Sequence, residues 1–388
     1  MIIKKILINS LLVLGAVVFS LLVTEGISRI VFSPDDYLKP ELLKDRFGVR
    51  IQPNSAGHDA WGFRNKSVPR HADIVAIGDS NTYGIAAIAS ESWPSLLQKQ
   101  TGRVVYNLGM PGYDTVGYAH LLKDRAISLN PSIVIIGFYL GNDPWGTYKT
   151  VYLYGLNPDL KDPDFVLAPG DDHSESKETA TPDLSLWADI RLWFGRNSVL
   201  FNLARDSDAI RFLYDRLPSA AGKSYVILED HRYNIHTVLQ PESLRAVNLD
   251  DPTVREGLRI SLEIISGMNN LCRSKGIEFL VVLIPSKIAV YSEYIKDGPD
   301  ERYHQELIES VEYERLINEW VQSYFQKHNI SYLDTLGPLR GATHREQVYP
   351  GNADTHPNHH GYKIIAEVIA RYLDHPHPPG IEEEEVRP

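Results

Sequence analysis

Short, continuously apolar runs rich in β-branched residues occur at Asp73–Ile77, Val104–Asn107, Ile133–Phe138 and Phe279–Ile284, with a briefer one at Ile330–Leu333. Continuous rather than alternating hydrophobicity predicts strands buried on both faces, as in a parallel sheet. Stretches with helical spacing lie between them, at Trp93–Gln100, Thr115–Leu129 and Val254–Lys275. A last helix, Tyr362–Leu373, places Ile364, Ile365, Val368, Ile369 and Tyr372 on one face. Strands alternating with helices predict an α/β fold whose parallel sheet is covered on both sides.

The rhythm breaks between Pro144 and about Pro252. Leu156–Pro182, rich in Asp, Pro, Ser and Glu, predicts a long loop, followed by helical pieces at Leu184–Trp193 and Val199–Leu217. This is an insertion at about 144–252, expected beside the sheet edge near the mouth of a site. The main domain then covers 73–374, preceded by a polar stalk at 33–72 that leads into it. The Pro-rich, acidic tail at 375–388 is expected to be disordered.

Ile6–Thr24 is 19 residues without a charge, directly after Lys4 and Lys5. At about 1.5 Å per residue it nearly spans a hydrocarbon core of about 30 Å. It is longer than the apolar core of a signal peptide, and Val23-Thr24-Glu25 is not a small-x-small cleavage site. Residues 1–32 are therefore expected to be an uncleaved, single-pass transmembrane anchor. Lys4 and Lys5 before the span, against Arg29 and Lys39 after it, place the domain outside a bacterial cytoplasmic membrane.

The 388-residue chain has 39 Lys and Arg against 50 Asp and Glu, a net charge of −11. That balance argues against a nucleic-acid partner, which needs a basic face. The single cysteine, Cys272, excludes an intramolecular disulfide, a Cys-rich metal site and an N-terminal lipoprotein cysteine.

Candidate chemistry gathers where the predicted strands end. Gly78-Asp79-Ser80 closes the first strand and presents a hydroxyl where α/β proteins bind ligands. Gly109, in Asn107-Leu-Gly-Met-Pro-Gly112, allows close backbone approach and an N–H aimed into the site, or makes only a turn. Asn142, in Gly141-Asn-Asp143, offers a neutral side-chain donor for an oxyanion, with Asp143 serving the turn. Asp354-Thr-His356-Pro-Asn358 supplies a histidine general base with a carboxylate two residues earlier to orient it, and Asn358 can cap the last helix. A metal site from Asp354, His356, His359 and His360 is the competing interpretation, lacking further Cys or His residues to close it. Lys287, in Ile284-Pro-Ser-Lys287, is expected to be a solvated lysine after a strand.

In the order Ser80, Gly109, Asn142, Asp354/His356, these blocks resemble the SGNH hydrolases, the GDSL-like esterases and lipases. The resemblance covers about 73–143 and 254–373. It implies a three-layer α/β/α, flavodoxin-like fold with a five-stranded parallel sheet. It also implies an oxyanion hole formed by the Ser80 and Gly109 N–H groups and the Asn142 side chain. The chain departs from the family in having Asn81 after the serine, and Asp-x-His in place of Asp-x-x-His. The Asp-Thr-His form is similar to that of the alginate-type O-acetyltransferases of bacterial envelopes, in which that block precedes the serine.

The expected function is a serine esterase-type hydrolase acting on ester-linked acyl groups of carbohydrates or lipids. Ser80 is its nucleophile, His356 its base and Asp354 the residue that orients His356; Asp79 has no acid role. No metal or other cofactor is required. The expected partners are an acyl-ester substrate, which could be a glycan, and the membrane. The alternatives are an O-acetyltransferase of envelope or exported polysaccharide, and a non-catalytic envelope scaffold.

Overall fold

The computed structural model describes residues 2–166, 186–205, 226–239, 244–295 and 301–374. The N-terminal apolar run folds as one helix, α1 (Ile2–Val31). It is long and apolar enough to cross a membrane, and none of that apolar window is buried. A small antiparallel hairpin follows, β1 (Leu42–Asp45) and β2 (Gly48–Ile51).

The alternating segment then runs β3 (Ile74–Gly78), α2 (Ser80–Tyr83), α3 (Trp93–Thr101), β4 (Val105–Gly109), α4 (Thr115–Asp124) and β5 (Ile133–Tyr139). The broken stretch contributes α5 (Asp143–Tyr148), α6 (Leu186–Asn197), α7 (Val199–Arg205) and the hairpin β6 (Val226–Asp230) and β7 (Ile235–Leu239). The chain closes with α8 (Pro252–Ser274), β8 (Glu278–Ile284), α9 (Lys287–Val290), α10 (Glu301–His328), β9 (Ser331–Asp334), α11 (Leu336–Ala342) and α12 (His359–Asp374).

The five predicted strands pair in parallel in the order β4-β3-β5-β8-β9. By first appearance this is 2-1-3-4-5, the flavodoxin-like arrangement, with the switch point at β3. Successive residues of each strand feed opposite cores. Val75, Ile77, Val134 and Ile136 pack with α4, α8 and the far half of α10. Ile74, Ala76, Ile133 and Ile135 pack with Trp93 and Leu97 of α3 and Tyr362, Ile365 and Ile369 of α12. Two helical layers thus cover one sheet, the predicted fold class.

Several details differ from expectation. The segment at 33–72 enters the domain well before its end: Phe47, Ile51 and Phe63 are buried in the core shared with α4 and α8. Its Asp59 accepts a hydrogen bond from Tyr106 of β4 at 2.7 Å. The 144–252 stretch divides its packing: α5 lies against α8, α7 lies against α1, and β6–β7 lies against the segment before Asp354. Helix α10 is absent from the hydrophobic pattern because its buried stripe includes polar Ser310, Glu314 and Asn318. On α12 the buried set is Gly361, Tyr362, Ile365, Ala366 and Ile369, so the face is turned from the predicted one, sharing Ile365 and Ile369. The expectations for 167–185, for 206–217 and for the tail at 375–388 lie outside the described residues.

Candidate functional site

Ser80 opens α2, the turn that follows β3 directly. That turn lies on the sheet because three glycines occupy one register level, Gly109, Gly78 and Gly137, on β4, β3 and β5. A Cβ at Gly78 would stand 2.1 Å from Thr82 Oγ1, and one at Gly137 would stand 2.4 Å from the same atom. A Cβ at Gly109 would stand 2.2 Å from the Tyr83 amide nitrogen. The glycines leave the space into which the serine-bearing turn settles.

Asp79 caps that turn. Its Oδ1 accepts from the Asn81 amide at 2.8 Å, and its Oδ2 lies 3.2 Å from Ser80 Oγ. Burial raises the Asp79 carboxyl, opposed by the Asn81 amide and by the charge of His356. Its position is that of a cap beneath the serine.

The segment before α12 crosses the end of the sheet and brings the other two groups. Asp354 Oδ1 accepts from His356 Nδ1 at 2.7 Å and from the His356 amide at 3.0 Å. With Nδ1–H directed at a carboxylate, Nε2 is the acceptor, and Ser80 Oγ donates to it at 2.8 Å. Burial alone would raise the Asp354 carboxyl, but the hydrogen bond and charge of His356 hold it below the usual range. The His356 side chain is 21% exposed and that of Asp354 32%, so the trio is open on one side. Asn358 caps α12, accepting from the His360 and Gly361 amides at 2.9 and 3.1 Å. His360 turns away to pair with Glu346 at 2.7 Å.

The remaining candidates divide. Asn142 precedes α5 with an exposed side chain that does not cap it. Asp143 is fully buried, accepting from the Tyr139 amide at 2.9 Å and from Tyr118 Oη at 2.9 and 3.0 Å. Burial first, and then Asp79, pushes its carboxyl well above the carboxylate range, in keeping with a structural place at the turn. Gly109 departs from expectation: its N–H donates to Asn107 Oδ1 at 2.8 Å and is not free for a ligand. Asn107, which sequence reasoning passed over, also donates through Nδ2 to Thr82 O at 3.0 Å, tying β4 to α2. Lys287 is likewise corrected, since it is buried rather than solvated.

Residues 244–387 match the family model of the SGNH hydrolase-like domain of acetyltransferase AlgX. No curated protein matches the chain in sequence. Among solved structures, the chain is similar to a lipolytic protein of the G-D-S-L family from Desulfitobacterium hafniense, at 17% identity and a TM-score of 0.36, covering 77% of this chain and 97% of that one. It is also similar to a GDSL-like lipase from Bacteroides thetaiotaomicron, at 11% identity and a TM-score of 0.36, covering 78% and 87%. A lipase/acylhydrolase from Enterococcus faecalis aligns at 14% identity and a TM-score of 0.32, covering 79% and 98%.

Proposed function

Taking the chain as an SGNH-superfamily protein with likeness to AlgX, we propose that it is an acyl-ester enzyme working through an acyl-Ser80 intermediate. The observation that carries this is the continuous hydrogen-bond chain Ser80–His356–Asp354, at 2.8 and 2.7 Å. Ser80 Oγ attacks the ester carbonyl while His356 Nε2 takes its proton, and Asp354 holds the ring and stabilises the imidazolium. Collapse of the tetrahedral adduct expels the alcohol, which is protonated by His356. The acyl group then passes to an acceptor hydroxyl, deprotonated by the same nitrogen.

Oxyanion donors follow from which N–H groups are uncommitted. The Ser80 amide, first in α2, has no intrahelical acceptor. The Asn142 carboxamide is the side-chain donor. Gly109 is replaced in this role by Gly112: Met110 and Tyr113 donate their amides to Gly78 and Met110 carbonyls, Pro111 has none, and Gly112 sits at a φ of +80° in open space.

The acceptor is water in a hydrolase and a sugar hydroxyl in a transferase. The match to an acetyltransferase domain supports acetyl transfer as the second reading. With α1 as a membrane anchor, the site works outside the cytoplasmic membrane. The test uses the full chain in detergent or vesicles with a fluorophosphonate probe and a short-chain aryl ester. Labelling and turnover should both vanish in Ser80→Ala; an unlabelled wild type would instead support the non-catalytic scaffold. Acetate release measured against acetyl transfer to an oligosaccharide, from one acetyl donor, separates the two acceptors.

A further inference from the structure

Lys287 stands at the first position of α9, just beyond β8. It is 1% exposed. Its ammonium donates to three carbonyls of one segment, those of Pro350 at 2.8 Å, Asn352 at 2.6 Å and Asp354 at 3.1 Å. An ammonium has three N–H donors, and all three are used here. The acceptors are alternate residues of the irregular stretch that ends at His356.

Burying a cation is costly, and an apolar side chain would fill the space without that cost. Burial pushes the Lys287 pKa down to about 7, opposed by the charge of Asp354. The three carbonyl dipoles also favour the charged form. The lysine is itself anchored from below. Ser286 caps α9 through the Ala289 amide at 3.1 Å, and buried Glu314 accepts from the Ser286 amide at 2.7 Å and from its hydroxyl. From the other flank, Thr237 of β7 donates to the same Pro350 carbonyl at 3.0 Å. The segment at 350–354 has no helix or strand of its own to fix its path.

We propose that Lys287 is the positioning residue of the Asp354–His356 pair: its three hydrogen bonds set the path of 350–354 and hence the contact between His356 and Ser80. This rests on the assignment of Ser80 and His356 above. The side chain touches neither the nucleophile nor the base and acts through the backbone that carries Asp354 and leads to His356.

The test compares the wild-type full chain in detergent with Lys287→Met and Lys287→Arg, using two readouts. One is aryl-ester kinetics. The other is the low-field proton resonance of His356 Nδ1–H in its bond to Asp354, assigned by its loss in His356→Gln. Lys287→Met should keep its near-ultraviolet circular dichroism but lose on the order of 10²-fold in kcat with KM little changed, as misplaced catalytic groups do. The low-field resonance should disappear or move upfield. Lys287→Arg keeps the charge, but its planar fork cannot meet three converging carbonyls, so it should show the same losses. A variant that melts earlier yet retains kcat and the resonance would mean Lys287 is merely structural, and would overturn the proposal. If Lys287→Met does not fold, Lys287→Arg decides by the same criteria. If the wild type turns over no ester, the enzyme assignment fails, while the resonance still reports on the pair.

Discussion

At the scale of single residues, Gly109 shows how one position can be chosen for space. Gly109→Ala would keep the amide N–H and add a methyl group 2.2 Å from the Tyr83 nitrogen and 2.6 Å from the Thr82 carbonyl carbon. Both are backbone atoms, so α2 must lift or β4 must shift, at a cost of about 1–3 kcal/mol. A lowered melting midpoint with reduced Ser80 labelling is expected; unchanged values would show that α2 and β4 yield to the added methyl and that Gly109 is not needed for space. Glu314 makes a different prediction. Burial raises its carboxyl from 4.5 to about 7, against the hydrogen bonds from Ser286. Between these values the folded protein holds a proton that the unfolded chain has released, so this group makes stability fall as pH rises from about 4.5 to 7. Glu314→Gln, always neutral, should change the urea midpoint little at pH 5 and raise it relative to wild type at pH 8. Equal differences at both pH values would show that the carboxyl does not titrate there.

At the scale of elements, what was legible in the sequence tracked hydrophobic continuity. The strands β3, β4, β5, β8 and β9 lie within one or two residues of their predicted bounds, because the first four are buried on both faces and the edge strand β9 is half-buried along its length. The Ser80, Asp354 and His356 blocks were legible because each follows a strand end or precedes a helix. Partnerships made by a single side chain were not legible. Nothing local distinguishes the buried Lys287 from a solvated lysine, and nothing in Asn107-Leu-Gly109 shows that the asparagine would take the glycine's amide. Glu25 is another such case. It belongs to α1, yet its carboxylate accepts from Ser198 Oγ at 2.7 Å and from the Val199 and Leu200 amides at 3.0 and 2.9 Å. It thus caps α7, and Arg29 adds a bond to Asn197 O at 2.5 Å. Glu25→Ala should remove about 1 kcal/mol of capping. Limited proteolysis of the membrane-inserted chain should then cut 186–205 faster; an unchanged pattern would show that the cap does not hold this junction.

For the whole molecule, the same junction concerns how the site is carried. A free linker the length of 33–72 would let the domain wander over roughly 35 Å. Here that segment is folded into the domain from Phe47 onward, through Phe47, Ile51 and Phe63, and α1 is fastened to α7 through Glu25. The domain therefore stands on α1 as on a bracket. With α1 in a bilayer, the opening above Ser80 would be held at one height and one tilt above the lipid. Encounter with a substrate would then occur within a thin layer parallel to the membrane rather than throughout the surrounding volume. An ester carried on a lipid, or on a polymer emerging at that level, would be met repeatedly by lateral diffusion. A freely dissolved ester would gain nothing from the arrangement.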